Sequence, residues 1–248
     1  MDEPIHSDGM NIRGQAALVT GASKGLGRAL SIALARRGAR VVMVARDPVA
    51  LADAVAAART EGEAHGFAFD VGDKEAVHRI AGAAAATVGA LSIVVHNAST
   101  LGPLPMPLLL DTDCEDLERV LAVNLVGPFR LTKALAGPML LARHGTMLFV
   151  SSDAATSAYP NWGAYGISKA ASDHLARTLA AELDPLRFFA VDPGEMDTEM
   201  HAAALPEADP ATLARPAAVA DAFVKILERA EELPNGARLA ASDFGAGQ

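Results

Sequence analysis

Tyr165 and Lys169 stand four residues apart in Tyr165-Gly166-Ile167-Ser168-Lys169, a spacing that puts both side chains on one face of a helix. A free phenol ionises at a pH of about 10 and exchanges protons poorly near neutrality, but a neighbouring ammonium favours the phenolate. The pair therefore reads as an acid/base unit. Ser152 lies thirteen residues before Tyr165, just past a β-type run, from which its hydroxyl can return over the same pocket.

A second constellation is Thr20-Gly21-Ala22-Ser23-Lys24-Gly25-Leu26-Gly27, which joins a β-type run to a helical one. Gly21 permits a tight turn, Gly25 lets backbone N–H groups approach a pyrophosphate, and Gly27 lets helix pack closely on strand. The positive end of the helix dipole then faces the phosphates. The spacing differs from G-x-G-x-x-G and from the G-x-x-x-x-G-K-[ST] of nucleoside triphosphatases. Dinucleotide sites that prefer NAD end their second strand with an acidic residue; here that place is Ala45, and Arg46 follows. An acid there would repel the 2′-phosphate of NADP, whereas Arg46 and Lys24 can pair with it. NADP(H) is predicted over NAD(H). The alternative is two solvated cations, with Asp47 weakening Arg46.

Such residues need a frame to hold them. Short runs rich in β-branched residues, Ala16 to Thr20 and Arg40 to Val44, flank a helical stretch from Gly25 to Arg37 that Gly38 ends. The rhythm continues with a helix from Pro48 to Glu61, a strand from Ala64 to Phe69, a helix from Asp73 to Val88 and a strand from Leu91 to Val95. Strands follow at Thr146 to Val150, Arg187 to Val191 and Ala237 to Ala240, with a helix from Gly163 to Leu183 between the first two. Strands alternating with long helices imply one doubly wound α/β domain, a parallel sheet of seven strands with helices on both faces. The expected organisation is a polar leader over residues 1–10 and one domain over 11–248. Two irregular stretches leave strand ends: Leu101 to Leu110, read as a substrate wall, and 194–216, read as a lid.

Composition removes other classes of function. With 51% hydrophobic and 21% charged residues the chain is globular, and a net charge of −9 without a basic stripe argues against nucleic acid. No apolar run reaches membrane-spanning length and the leader is polar and acidic, so a cytoplasmic protein without a membrane partner is expected. Cys114 is the single cysteine, and the seven histidines show no H-E-x-x-H pairing, so no metal is expected.

Taken together, the motifs resemble the short-chain dehydrogenases/reductases in their form of about 250 residues, from Gln15 to Ala240. Thr20-Gly21-x-x-x-Gly25-x-Gly27, with Ser23, Lys24 and Leu26 inside it, is similar to that family's cofactor turn. Asp70-Val71 resembles its adenine contact, and Asn97-Ala98 the middle of its Asn-Asn-Ala-Gly strand end. Pro193-Gly194-x-x-x-Thr198, which includes Met196, resembles the segment holding the nicotinamide carboxamide. Asn124, 41 residues before Tyr165, completes a catalytic tetrad with Ser152, Tyr165 and Lys169. The resemblance implies a Rossmann fold and a homodimer or homotetramer joined through the apolar helices near 113–141 and 163–183. His96 and Ser99 replace the first Asn and the final Gly of the strand-end motif; His96 is expected to be a hydrogen-bonded core residue. Ser151-Ser152-Asp153-Ala154 and Trp162-Gly163-Ala164-Tyr165-Gly166 look most like the sepiapterin-reductase and benzil-reductase branch, although Ala240 stands where a pterin-binding acid would be.

The resemblance implies hydride transfer between NADP(H) and a carbonyl or secondary alcohol. Tyr165 would be the acid/base, Ser152 would hold the substrate oxygen, Lys169 would hold the nicotinamide ribose, and Asn124 would anchor a water. Trp162, Tyr159, Leu104, Met106, Met196 and Met200 are candidate pocket residues. The alternative from another class is a catalytically silent NADP-binding sensor or scaffold.

Overall fold

The computed structural model describes residues 10–245. In chain order it places β1 (Ala16–Thr20), α1 (Gly25–Arg36), β2 (Arg40–Ala45), α2 (Pro48–Arg59), β3 (Ala64–Ala68), α3 (Ala76–Val88) and β4 (Ile93–His96). There follow α4 (Cys114–Leu121), α5 (Gly127–Ala142), β5 (Thr146–Val150), α6 (Gly163–Glu182), β6 (Arg187–Asp192), α7 (Glu199–Ala204), α8 (Pro216–Glu228) and β7 (Arg238–Ala240). The seven strands form one parallel sheet in the order β3-β2-β1-β4-β5-β6-β7. The expected α/β class and strand count are met.

Period-2 alternation explains the two layers. Ala17 and Val19 of β1 point into a core shared with α1, α2 and α8, while Ala16 and Leu18 point into the opposite core with α3, α5 and α6. Both faces are apolar because both are covered, as parallel sheets require. Asp47 caps α2 by accepting from the N–H groups of Val49 and Ala50, with Pro48 at the first helical position.

Three differences from the sequence reading go beyond a residue or two at an element's end. Helix α3 begins at Ala76 rather than Asp73, because the Asp73 carboxylate accepts from Glu75 N–H and its carbonyl from Ala76 N–H, closing a turn first. The long stretch before residue 142 is two helices joined by a π-helical turn, Ala122–Val126. Met10, the last residue assigned to the leader, is buried in the core, and its N–H donates to Glu228 O at 2.7 Å; residues 1–9 of that leader lie outside the described residues. Among the described residues no helix is long and apolar enough to cross a membrane.

The strand order reverses between β1 and β4, whose connections leave in opposite directions. Open α/β sheets place a ligand in the crevice beyond the carboxyl ends of such strands. The glycine turn, Asn97, Ser152 and Asp192 all leave the sheet at this edge.

Candidate active site

The crevice is built by hydrogen bonds between two strand ends. Thr20 Oγ1 donates to Val95 O at 3.3 Å and accepts from the N–H groups of Asn97 and Ala98 at 3.0 and 3.1 Å. Asn97 Nδ2 donates to Thr20 O at 2.9 Å and Gly21 O at 3.2 Å. The Asn97 side chain, expected at the cofactor, therefore holds the turn that would hold the cofactor.

Gly21 and Gly25 have φ of +65° and +54°, a region costly for other residues. A Cβ on Gly27 would lie 2.3 Å from Gly21 O and 2.5 Å from Asn97 Nδ2, which is the close packing expected of that glycine. The first turn of α1 receives no capping side chain from Lys24, and the nearest atom to a Cβ on Gly25 would be Thr198 Cγ2 at 3.4 Å. Uncapped N–H groups beside an open glycine suit a pyrophosphate, so these residues fit a dinucleotide. Leu26 and Val71 turn their side chains into the core, which leaves only their main chain for a ligand. Ser23 is half-buried in the turn and Ala98 half-buried at the end of β4.

The two candidate phosphate cations face carboxylates. Lys24 Nζ lies 2.6 Å from Glu199 Oε2, and Arg46 lies 4.0 Å from Asp70 Oδ2. Asp70 Oδ1 accepts from Gly72 N–H. At the far end Gly194 has φ +72° with nothing near its Cβ position, and its N–H donates to Asp192 Oδ1. Pro193 is half-buried beside it. Thr198 caps α7.

Helix α6 brings Tyr165 and Lys169 to one face, with Nζ 5.4 Å from the Tyr165 ring centre. Lys169 Nζ donates to Val150 O at 2.7 Å. Burial pushes the Lys169 ammonium down to about 8, against the pull of Asp173 and Asp192. Burial pushes Tyr165 up to about 12; the hydroxyls of Ser152 and Ser99 act the other way, and Asp153 and Asp192 add to the rise. The sequence suggested that Lys169 would favour the phenolate. Burial is the largest influence on the phenol in this structure, and the Lys169 ammonium donates to a main-chain carbonyl.

Asn124 sits in the π-helical turn and is buried. Its Nδ2 donates to Thr100 O and Ser168 Oγ, both at 2.9 Å, and its Oδ1 accepts from Thr100 N–H at 2.8 Å. Ser168 Oγ donates on to Tyr165 O at 2.6 Å. Both amide hydrogens of Asn124 are committed, so its side chain ties α6 to the loop after β4 and has no N–H left for a water.

Leu101, Ala154 and Tyr165 form a small apolar cluster with Met106, Trp162 and Ala204 packed on it. Trp162 meets Tyr165 edge-on at 5.7 Å and Tyr159 at 6.5 Å. Of the other pocket candidates, Leu104, Tyr159 and Met200 are exposed, and Met196 packs against the main core. The neck of the 194–216 segment is pinned, with Asp197 N–H donating to Ala214 O and Ala214 N–H to Glu195 O. His96 is a core residue as expected: Nε2 lies 2.9 Å from Thr132 Oγ1, and its ring lies 4.6 Å from that of Phe149. Sequence reasoning noted Ser99 only as a departure from the strand-end motif, and it missed the roles of Asp173, Asp192 and Arg238. Asp173 was within reach, standing four residues after Lys169; Arg238 needed the position of β7.

A family model described as short chain dehydrogenase matches residues 15–209. An uncharacterized oxidoreductase, YciK, of Escherichia coli is 32% identical over 216 residues, 85% of this chain and 84% of that one. A short chain dehydrogenase of Pseudocercospora fijiensis is 36% identical over 199 residues, 77% of this chain but 62% of that longer one. Solved structures of similar fold carry NADP, NAD+ or NADH. A short chain dehydrogenase from Shigella flexneri complexed with NADP has a TM-score of 0.85 at 27% identity, covering 94% of this chain and 98% of that one. An NAD+-bound xylitol dehydrogenase has a TM-score of 0.84 at 26% identity, covering 96% and 100%.

Proposed function

The chain belongs to the short-chain dehydrogenase/reductase family, oxidoreductases acting on alcohol and carbonyl groups, and from that premise we propose that it is an NADP(H)-dependent reductase of ketones or vicinal diketones with Tyr165 as its acid. The observation that carries this reading is the placing of Tyr165 and Lys169 on one face of α6, with Nζ 5.4 Å from the phenol ring centre, at the edge where Ser152 leaves the sheet. Burial raises the phenol, so at neutral pH it holds the proton that a developing alkoxide would take.

A bound nicotinamide dinucleotide supplies the hydride. The chain's own residues do the rest. Ser152 and Tyr165 converge on the carbonyl oxygen, where the serine hydroxyl stabilises developing negative charge and the phenol donates its proton. Lys169, a turn further along α6, would bind the ribose hydroxyls. The Asn124–Ser168 chain fixes the first turn of α6, and hence Tyr165. Leu101, Met106 and Trp162 form the apolar wall, and Ala204 carries the 194–216 cover onto it. That wall suits an apolar flank on the substrate.

For the cofactor, Arg46 and Lys24 at the adenosine end, with no carboxylate closing β2, support NADP(H). Solved relatives carry NADP in one case and NAD+ or NADH in others, so the preference rests on this chain's residues. Phe129 on α5 and Ile167 on α6 are exposed apolar residues, which supports pairing of these helices in a homodimer or homotetramer.

The test is NADPH consumption with ketones, vicinal diketones and quinones, with NADH and Tyr165→Phe in parallel. Turnover should fall about 10²–10⁴-fold in the variant while NADPH still binds. NADPH binding without turnover on the whole panel would favour a sensor or scaffold.

A further inference from the structure

Beyond the four residues of the proposed chemistry lies a charge cluster they do not account for. Arg238 of β7 donates from Nε to Asp173 Oδ2 at 3.0 Å, and from one terminal nitrogen to Asp192 Oδ2 and to Ser152 O, both at 2.9 Å. Its carboxylate partners are largely shielded from water, with side chains 7% and 15% exposed. Such pairs are costly to bury and more costly to break.

Two features make the cluster more than a clamp. The first is where it meets the main chain. The last ladder bond between β5 and β6 is Ser151 N–H to Val191 O at 2.8 Å. One residue on, Ser152 O is met by the Arg238 guanidinium from the end strand. Arg238 thus holds the Ser152 main chain just where it leaves the sheet.

The second is what lies behind it. Asp173 is one helical turn beyond Lys169 on α6, and Asp192 ends β6; these are the two charges that act on Lys169. From β5 the ammonium meets only the neutral Val150 carbonyl, and from its own helix the Tyr165 ring. Asp153, on the turn after β5, acts on Tyr165. Arg238 is therefore the competing cation for both carboxylates that face Lys169.

We propose that Arg238, with Asp173 and Asp192, is a positioning residue for the reaction, tying the Ser152 main chain to the end strand of the sheet and setting the charge that Asp173, one turn along α6, presents toward Lys169. The inference rests on the oxidoreductase reading. Asp173 holds the proton on Lys169, Arg238 divides Asp173's charge between two cations, and the Ser152 hydroxyl points where the tethered main chain directs it.

The experiment measures NADPH affinity by fluorescence from about pH 6 to about pH 10 in the full chain and in Asp173→Asn, Arg238→Met and Arg238→Lys, with thermal unfolding as a check of folding. Affinity should fall as Lys169 loses its proton. Asp173→Asn removes a facing carboxylate and should move that fall to lower pH by about half a unit or more, roughly a threefold loss of affinity within the transition. Arg238→Met leaves both carboxylates to Lys169 and should move the fall to higher pH. A merely structural loss would not move the two variants in opposite directions. Arg238→Lys keeps the charge but cannot span three acceptors, so the fall should stay near its original pH while diketone turnover drops. A midpoint unchanged in Asp173→Asn, or moved the same way in both variants, overturns the inference; if Arg238→Met does not fold, Asp173→Asn alone decides. Wild-type protein that binds neither NADPH nor NADH overturns the function above, and this inference with it.

Discussion

The hydroxyl of Ser152 donates to the carboxylate of the next residue, Oγ to Asp153 Oδ1 at 2.9 Å, while the other oxygen of that carboxylate accepts from Tyr159 OH at 2.8 Å. A serine that stabilises a carbonyl oxygen must turn this hydrogen toward the substrate, so Asp153 competes with the reaction. The same carboxylate also raises the Tyr165 phenol. Asp153→Asn keeps an acceptor but weakens it and removes the charge. Reductive kcat should rise by about two- to fivefold, and the rise of the reverse reaction with pH, which follows loss of the Tyr165 proton, should move to lower pH. Steady-state kinetics against pH checks both. A tenfold loss of kcat would instead make Asp153 part of what binds the substrate.

His96 should set the acid limb of stability. Burial in the core pushes its imidazole down to about 3 from the ordinary 6.5. The unfolded chain therefore binds a proton below pH 6.5 that the folded chain refuses. Stability is full above that pH, falls as pH drops through it, and levels off only near the folded value. Between pH 7 and pH 5 the loss is about 2 kcal/mol. In His96→Asn, which has nothing to titrate, urea unfolding should show a slope flatter by about that amount, whatever the substitution does to absolute stability. An unchanged slope would mean that His96 can take a proton while folded.

Why some of this was legible in the sequence and some was not follows from the range of each interaction. The glycine turn, the Tyr165–Lys169 pair and the alternating elements are local patterns, readable because helix and strand periods fix which neighbours share a face. The onset of α3 was misplaced because a side-chain turn at Asp73 competes with helix on equal local terms. The burial of Tyr165 was not legible for a different reason. Sequence spacing brings Lys169 near, but only the fold shows that Nζ bonds Val150 O and that burial outweighs charge. Arg238 lies 65 residues from Asp173 and 86 from Ser152; no local rule joins them, and only the parallel pairing of β7 beside β6 does.

Cofactor preference can be tested through the two exposed cations. Lys24 and Glu199 are paired with side chains 65% and 75% exposed, and Arg46 and Asp70 with 68% and 43%. Exposed pairs contribute about 1 kcal/mol or less and are screened by salt, whereas a phosphate offers each cation a doubly charged partner. The 2′-phosphate should therefore displace both carboxylates. Lys24→Ala and Arg46→Ala should each weaken NADPH by about five- to tenfold and leave NADH nearly unchanged. Glu199→Gln releases Lys24 and should tighten NADPH, by no more than about fivefold because the broken pair is exposed. Fluorescence titrations with both nucleotides at low and high salt read these effects. Equal losses for NADPH and NADH would show that the two cations shape the turn and do not read the phosphate.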